Sequence, residues 1–387
     1  MGLGGVTAQN RMAGRLLRRA GYEVQFAWRA SYKEWPALSV PLWRLGRARP
    51  GVVEDDLEGF RTTQVGTWLP EFEWAHHQAW GAWNRLIDAF AQHIVISGNF
   101  LPAWGLFKRG LPSFNWIATP YWPDRADRVK AWPLWRRIHD RLFNSPITLA
   151  QERRLIRCVD SWTISDYTTR ALQALAPDNR VRGKVIIPVD IERFHPGGRL
   201  PQSNDRTVRL CFSGRVSDPR KGMPLLLAAF AKVAAQRPAV ELAIFGDLTL
   251  EALRQRYDVA AIADRLSVQP AVANEALPDM LRQADIFVLP SYQEGLSQIA
   301  GEAMASGCCV VSTRCGGPEE FVLDGETGLL ADLDADSLAD ALLRAIDDAD
   351  LRRRLAENGV ALIRERYTPA LFERQFMAAF ATVYPSV

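Results

Sequence analysis

Two glutamates, Glu294 and Glu302, stand eight residues apart across the start of a predicted helix at 297–306. One carboxylate then sits in the loop ahead of the helix, and the other a turn or two inside it. The first amides of a helix have no intrahelical acceptor and carry the positive end of its dipole, so the backbone between the two acids forms an anion site. Acceptor-rich carboxylates flanking a phosphate cradle suit a ligand with hydroxyls on both sides of a diphosphate, which is the anatomy of a nucleotide sugar. A second segment offers the counter-charge. Ser213-Gly214-Arg215-Val216-Ser217-Asp218-Pro219-Arg220-Lys221-Gly222 follows a predicted strand and precedes a predicted helix. Gly214 lets the backbone approach a ligand closely, and Arg215 and Lys221 place two cations where a diphosphate would rest. Taken singly, each feature also has a plain structural reading: a loop acid, a helix acid, a basic turn that solubilises the surface.

Positioning these groups requires strands that end beside one another. Short apolar runs at 208–212, 241–245, 286–289 and 309–312 alternate with helical stretches such as 224–236, the pattern of an α/β chain with a parallel sheet. Ligands of such sheets bind in the turns at the carboxyl ends of the strands. The first half repeats the alternation, with predicted strands at 22–28, 93–97, 114–119 and 185–189. A Pro, Gly and Ser rich stretch at 196–204 separates the halves as a linker.

The string Glu294-Gly295-Leu296-Ser297-Gln298-Ile299-Ala300-Gly301-Glu302-Ala303-Met304 resembles the E-x7-E signature of family 4 glycosyltransferases of the GT-B fold. Further ordered elements agree: Gly316-Gly317-Pro318-Glu319-Glu320, Asp324-Gly325-Glu326-Thr327-Gly328, the G-R-x5-K-G element from Gly214 to Gly222, and Asp190-Ile191-Glu192-Arg193-Phe194 as an interdomain segment. The resemblance covers roughly 185–387. It implies an α/β chain with two Rossmann-like domains facing a central cleft. Residues 1–195 would form the acceptor domain, with its first strand apparently missing, and 205–365 the nucleotide-sugar domain. Residues 366–387 would form a helix that packs back on the first domain.

Residue by residue, the resemblance implies that Arg215 and Lys221 neutralise the donor diphosphate and that Glu294 binds donor-sugar hydroxyls. The amides of Gly295, Leu296 and Ser297 would meet phosphate and sugar, Glu302 the ribose, and 270–272 the base. Gly4 and Gly5 resemble the glycine-rich loop that faces the donor phosphate from the other domain. The activity implied is retaining transfer of a hexose-type sugar from a nucleotide-diphosphate sugar to a glycan or lipid-linked acceptor. Glu294, Arg215 and Lys221 would be the catalytic set. The alternative is a catalytically inactive GT-B binding or assembly subunit, suggested by the missing strand and by the absence of histidine from the segment 117–125. Asn99, Asp124 and Trp122, with Trp104, are placed at the acceptor cleft, whereas His76, His77 and His93 receive no general-base role. No cofactor or metal is expected: Asp332, Asp334 and Asp336 match D-x-D but immediately precede a predicted helix, where capping explains them.

Composition bounds the rest. The chain has 387 residues, 48% hydrophobic and 24% charged, without an apolar run of the roughly 18 residues a spanning helix needs. All 13 tryptophans fall between Trp28 and Trp162. They mark two halves of different character, and most are expected in the core. Net charge is +3, yet the first 50 residues hold Arg11, Arg15, Arg18, Arg19, Arg29, Lys33, Arg44, Arg47 and Arg49 against only Glu23 and Glu34. This basic region is a solvated face or a peripheral contact with anionic lipid, and no nucleic-acid module accompanies it. Five irregularly spaced cysteines read as reduced, mostly buried thiols, which places the chain in the cytoplasm; the basic region leaves open a peripheral contact at the inner face of the membrane.

Overall fold

The computed structural model describes residues 5–78, 81–197 and 207–385. The first half makes two sheets. β1 (Phe26–Arg29), β2 (Val52–Leu57) and β3 (Phe60–Val65) form a small one in the order β1-β3-β2, with β1 parallel to β3 and the β2–β3 hairpin antiparallel. β4 (Ile94–Ser97), β5 (Phe114–Ile117), β6 (Ser161–Thr163) and β7 (Val181–Lys184) form a parallel sheet in sequence order. The strand expected at 22–28 is shifted and joins the small sheet. Tyr22 is committed elsewhere: its amide closes the preceding helix on Leu17 O, and its ring meets Phe380 edge to face. The stretch 185–189 is buried, but it leaves the sheet after Val185. Ile186 N donates to the Gln375 side chain and Val189 N to Tyr367 O, so its backbone groups are satisfied by the C-terminal segment.

The second half is one six-stranded parallel sheet. Its strands are β8 (Val208–Gly214), β9 (Val240–Gly246), β10 (Leu266–Pro270), β11 (Ile286–Leu289), β12 (Cys309–Thr313) and β13 (Leu329–Ala331), in the order β10-β9-β8-β11-β12-β13. β8 to β10 run outward one way and β11 to β13 the other. The strand order therefore reverses between β8 and β11, and a crevice opens beyond their carboxyl ends.

One core runs through both halves. Phe114, Trp116 and Trp162 share it with Phe287, Leu296 and Ala300, and the helix Pro369–Val383 closes it with Phe372, Phe376 and Phe380. That helix lies on the first-half sheet: Phe372 stacks on Trp116 at 5.5 Å, and Phe376 meets Phe114 edge to face at 5.0 Å. Just beyond it, the Tyr384 hydroxyl accepts from His93 N at 2.8 Å. The helix Gly5–Arg19 seats on β4 through Asn10, whose amide donates to Ile96 O at 3.1 Å. Among the described residues no strand precedes it; Gly5 is exposed at its start, and Gly4 lies outside the described residues. Its arginines are engaged. Arg11 and Arg15 pair with Glu58, Arg18 lies over Phe60, and Arg19 faces Glu373.

Most tryptophans are not core, contrary to expectation. Among the described residues only Trp116 and Trp162 are fully buried, while Trp35, Trp43, Trp122 and Trp135 are exposed. At Trp135 the inward side of the helix is taken by Asp140 against Arg125. Cys211, Cys308, Cys309 and Cys315 are buried, Cys158 is exposed, and no disulfide joins any two of them. Asp334 accepts from Ser337 N at 2.8 Å and caps the helix Ala335–Asp347, and Asp332 pairs with Arg314. No helix among the described residues is long and apolar enough to cross a membrane.

Candidate active site

The crevice beyond β8 and β11 gathers residues distant in sequence. After β11 the chain turns at Pro290 and Ser291 and passes Glu294 before the helix Gln298–Ala305 begins. Glu294 is buried at a backbone crossing: its amide donates to Cys315 O at 2.8 Å, and its carbonyl accepts from Gly317 N at 3.0 Å. Its Oε1 accepts from Lys221 Nζ at 2.6 Å and from Ser291 Oγ at 2.8 Å. Burial alone would raise the Glu294 pKa. The Lys221 and Arg220 cations and these hydrogen bonds outweigh burial and hold it below the usual carboxylate range. Glu294 is therefore charged at neutral pH.

Lys221 reaches Glu294 because the chain around it passes unusually close to the β11 turn. Gly222 has φ +66°, and a Cβ there would sit 1.9 Å from Pro290 O. Only glycine permits both the conformation and the approach. The neighbouring Gly295 makes a similar approach to the first half, since a Cβ would meet Ala118 O at 2.5 Å.

Ser297 takes the N-cap position of the helix in left-handed backbone (φ 67°) without capping it, and its buried hydroxyl has no partner. The first amides of this helix thus keep their positive pole toward the crevice, beside Leu296 and Gly295. A non-glycine residue held at positive φ stores strain of a kind that concentrates at ligand sites. Glu302, one turn into the helix, is also buried and accepts from Gln298 Nε2 at 3.0 Å. Burial pushes its pKa up to about 7, against weaker opposing pulls from the Gln298 hydrogen bond and then Arg193. The two glutamates straddling the helix start thus differ in kind: Glu294 is ionised by its cations, and Glu302 is held near neutrality by burial.

That difference gives a signed expectation for pH. The folded pKa of Glu302 is about 7 against an ordinary 4.5, so its contribution to stability is complete below 4.5 and is lost as pH rises through 7. The loss amounts to about 3 kcal/mol. Glu302→Gln removes it, so the melting temperature of the variant should gain on the wild type between pH 5 and pH 8. Comparing variant with wild type cancels His76 and His77, whose pKa values burial and Arg29 lower and whose effect has the opposite sign. A difference independent of pH would contradict a Glu302 whose pKa burial raises.

Other predicted positions fall differently. Arg215 is 62% exposed in its side chain and pairs with Asp218 at 3.2 Å, so it stands at the rim rather than beside Lys221. Gly214 ends β8, and 270–272 runs on from the last residue of β10, the edge strand two places from β8. Asp124, on the helix Tyr121–Lys130, lies 3.3 Å from Arg220 and therefore faces the second half. Trp122, on the same helix, is exposed. Asn99 is spent locally, its side chain accepting from Leu101 N at 3.1 Å, and half-buried Trp104 donates to Gln78. His76 contacts Pro70 O and His93 contacts Ile87 O.

Three residues the sequence did not single out tie the halves together. Arg220 is buried between Asp124, Gln293 and Glu294, at 3.3, 3.2 and 3.8 Å. Arg128 grips Asp218 with two nitrogens at 3.2 and 3.0 Å while donating to Asp124 at 2.9 Å. Asp218 is held below its usual pKa because these cations outweigh its burial. Arg220 was visible as the residue before Lys221, but its partners lie 96 and 74 residues away in the chain, by subtraction of 124 and 294 from 220, and no local signal names them. Behind this network Glu152, buried, accepts from Tyr121 N and fixes the start of the helix that carries Asp124.

Comparison with known proteins agrees with this architecture. Residues 207–348 match the family model described as Glycosyl transferases group 1. A phosphatidyl-myo-inositol mannosyltransferase of Mycobacterium tuberculosis is 32% identical over 229 residues, 57% of this chain and 58% of that protein. The match thus spans little more than half of the relative. Among solved structures, a sucrose-phosphate synthase from Thermosynechococcus elongatus superposes with a TM-score of 0.76 at 20% identity, covering 98% of this chain and 94% of that one. WaaG, a glycosyltransferase involved in lipopolysaccharide biosynthesis, superposes with a TM-score of 0.72 at 16% identity, covering 100% and 98%. With two α/β halves meeting at the β8–β11 crevice, the chain has the GT-B fold, and its residues 207–348 are a glycosyltransferase group 1 domain.

Proposed function

We propose that the chain is a retaining glycosyltransferase that moves a hexose-type sugar from a nucleotide-diphosphate sugar to a glycan or lipid-linked acceptor. The observation that carries this reading is the Lys221–Glu294 pair set beside an uncapped helix start at the β8–β11 switch point. In this reading the diphosphate lies over the amides of Gly295 to Ser297 with Lys221 Nζ against it, and Arg215 turns in from the rim. Glu294 Oε2 takes sugar hydroxyls, and Glu302 takes the ribose. The bond from the anomeric carbon to the diphosphate oxygen breaks, and the acceptor oxygen bonds to the same face of that carbon. The acceptor proton passes to the departing diphosphate. The protein's part is to stabilise charge growing on the leaving group with a fixed cation and helix amides. This scheme uses no metal or cofactor. A lipid-linked acceptor is in keeping with the relative named for phosphatidyl-myo-inositol, and five cysteines not joined in disulfides are in keeping with the cytoplasm.

The test is a thermal-shift screen of the protein against UDP, GDP and ADP sugars, repeated with Arg215→Ala and Lys221→Ala. A donor at about one hundred times its dissociation constant should stabilise the protein by about 2.7 kcal/mol, and the variants should lose this. No shift with any nucleotide sugar overturns the reading. A shift without hydrolysis or transfer to any acceptor supports an inactive binding or assembly subunit instead.

A further inference from the structure

The helical stretch running from Leu134 through Asn144 into Ser145–Cys158 is built inside out between 134 and 147. Its inward side is polar. Asp140 is buried against Arg125 and accepts from Asn144 at 2.9 Å and Ser145 at 2.6 Å, while Asn144 accepts from Glu73 N at 2.7 Å. Its outward side is apolar: Trp135 is 71% exposed, Leu134 65%, Leu142 61% and Phe143 55%, with Ile138 and Ile147 also exposed. Leu134, Ile138 and Leu142 recur every four residues and form one stripe. The polar network fixes the rotation of the helix, because turning the stripe inward would strip Asp140 and Arg125 of each other.

Charge identifies what the stripe is for. Arg136, Arg137 and Arg141 lie exposed along the same stretch, and its one acid, Asp140, is the buried one. Among the described residues none of the three arginines has a carboxylate partner; Arg136 rests on the Trp132 ring at 4.0 Å. A second exposed group, Leu42, Trp43 and Leu45 with Arg44 between them, adjoins this face. Leu42 N donates to Glu71, and the next residue, Phe72, packs on His139 at 5.4 Å.

We propose that the outer face of 134–147, extended by 42–45, docks the protein on an anionic membrane surface. Apolar tips enter the boundary between headgroups and acyl chains, and the arginines meet lipid phosphates. A stripe of exposed Leu, Ile, Phe and Trp whose exposed charges are all cations fits a lipid surface, which presents anions everywhere. The basic helix Gly5–Arg19 is not this surface, because Arg11 and Arg15 are already paired. Docking here would set the helix carrying Asp124, and with it the mouth of the crevice, against the bilayer. The inference does not depend on sugar transfer.

The experiment is flotation of the full chain with phosphatidylcholine vesicles, with and without phosphatidylglycerol, at low and high salt. Two variants accompany it: Leu134→Ser/Trp135→Ser/Leu142→Ser and Arg136→Ala/Arg137→Ala/Arg141→Ala. All six side chains are exposed, and circular dichroism checks that each variant is folded. The wild type should float with phosphatidylglycerol vesicles and lose this at high salt. The arginine variant should partition about a hundredfold less, from roughly fivefold per cation, and the apolar variant should stay at the bottom with either vesicle. The proposal is overturned by a wild type that does not float at low salt, or by variants that float as it does. It is also overturned by a wild-type dimer in sedimentation that the apolar variant dissolves, which would assign the face to a second copy of the chain.

Discussion

Glu294→Ala should destabilise the protein by about 3 kcal/mol and abolish the thermal shift produced by its donor. The mutation leaves Lys221 without the carboxylate that receives it at 2.6 Å, and it leaves Arg220 with Asp124 and the more distant Asp218 as its carboxylates, beside its contact with Gln293. Both cations are largely buried, so water restores little of what they lose. Truncating one member of a buried pair costs more than replacing both. Lys221→Met/Glu294→Met should therefore recover part of the stability lost by Glu294→Ala, with a coupling of roughly 1 to 3 kcal/mol between the two sites. Turnover should fall on the order of a hundredfold or more, the scale for losing one preorganised electrostatic contact in a transition state. Urea unfolding and single-turnover kinetics separate the two effects. A wild-type midpoint in Glu294→Ala would mean that the pair does not hold the β8 and β11 turns together, whatever happens to activity.

Phe376→Ala should cost about 3 to 5 kcal/mol, the usual toll for a buried phenylalanine whose neighbours cannot close the cavity. Phe376 is fully buried and touches Phe114, Trp116 and Phe372, with ring centroids 5.0, 5.9 and 5.4 Å apart. Two of these partners are on β5 and the third is one turn earlier on its own helix. The substitution therefore weakens the attachment of the C-terminal helix to the first-half sheet. Hydrogen exchange should show the helix Pro369–Val383 and β5 losing protection together, before β8 and β9 do. Glu373→Ala on the exposed face of the same helix removes only a solvated contact with Arg19 and should change stability by no more than about 0.5 kcal/mol. If the two substitutions cost the same, the helix is not anchored through its aromatic face.

Local readings and non-local ones parted cleanly in this chain. The alternation of apolar runs and helical stretches is a property of short windows, so β8, β9, β11 and β12 were readable where they stand. The spacing of Glu294 and Glu302 around the start of a helix is equally local, as is the capping of the helix at Ala335 by Asp334. Tyr22 and the stretch 185–189 misled because their apolar character reported burial correctly but not the partner that buries them. Each is covered by the C-terminal segment, more than 180 residues away in the case of Gln375 and Ile186. Trp135 misled for a related reason. A large apolar side chain predicts a core only when nothing else claims the inward side, and the Arg125–Asp140 network claims it between 134 and 147.

By itself the sequence determined four of the six strands in the second half, β8, β9, β11 and β12, and which side chains stand at their carboxyl ends; β10 and β13 were not read from it. Periodicity and chain direction suffice for that. Only the tertiary structure decided which of those ends are neighbours. Inserting β8 beside β11 brings Lys221 onto Glu294 across 73 residues, leaves Arg215 at the rim, and draws Arg220 between the halves. Sheet order is a choice among strands of similar composition, settled by the packing of the whole chain, and no window of sequence contains it.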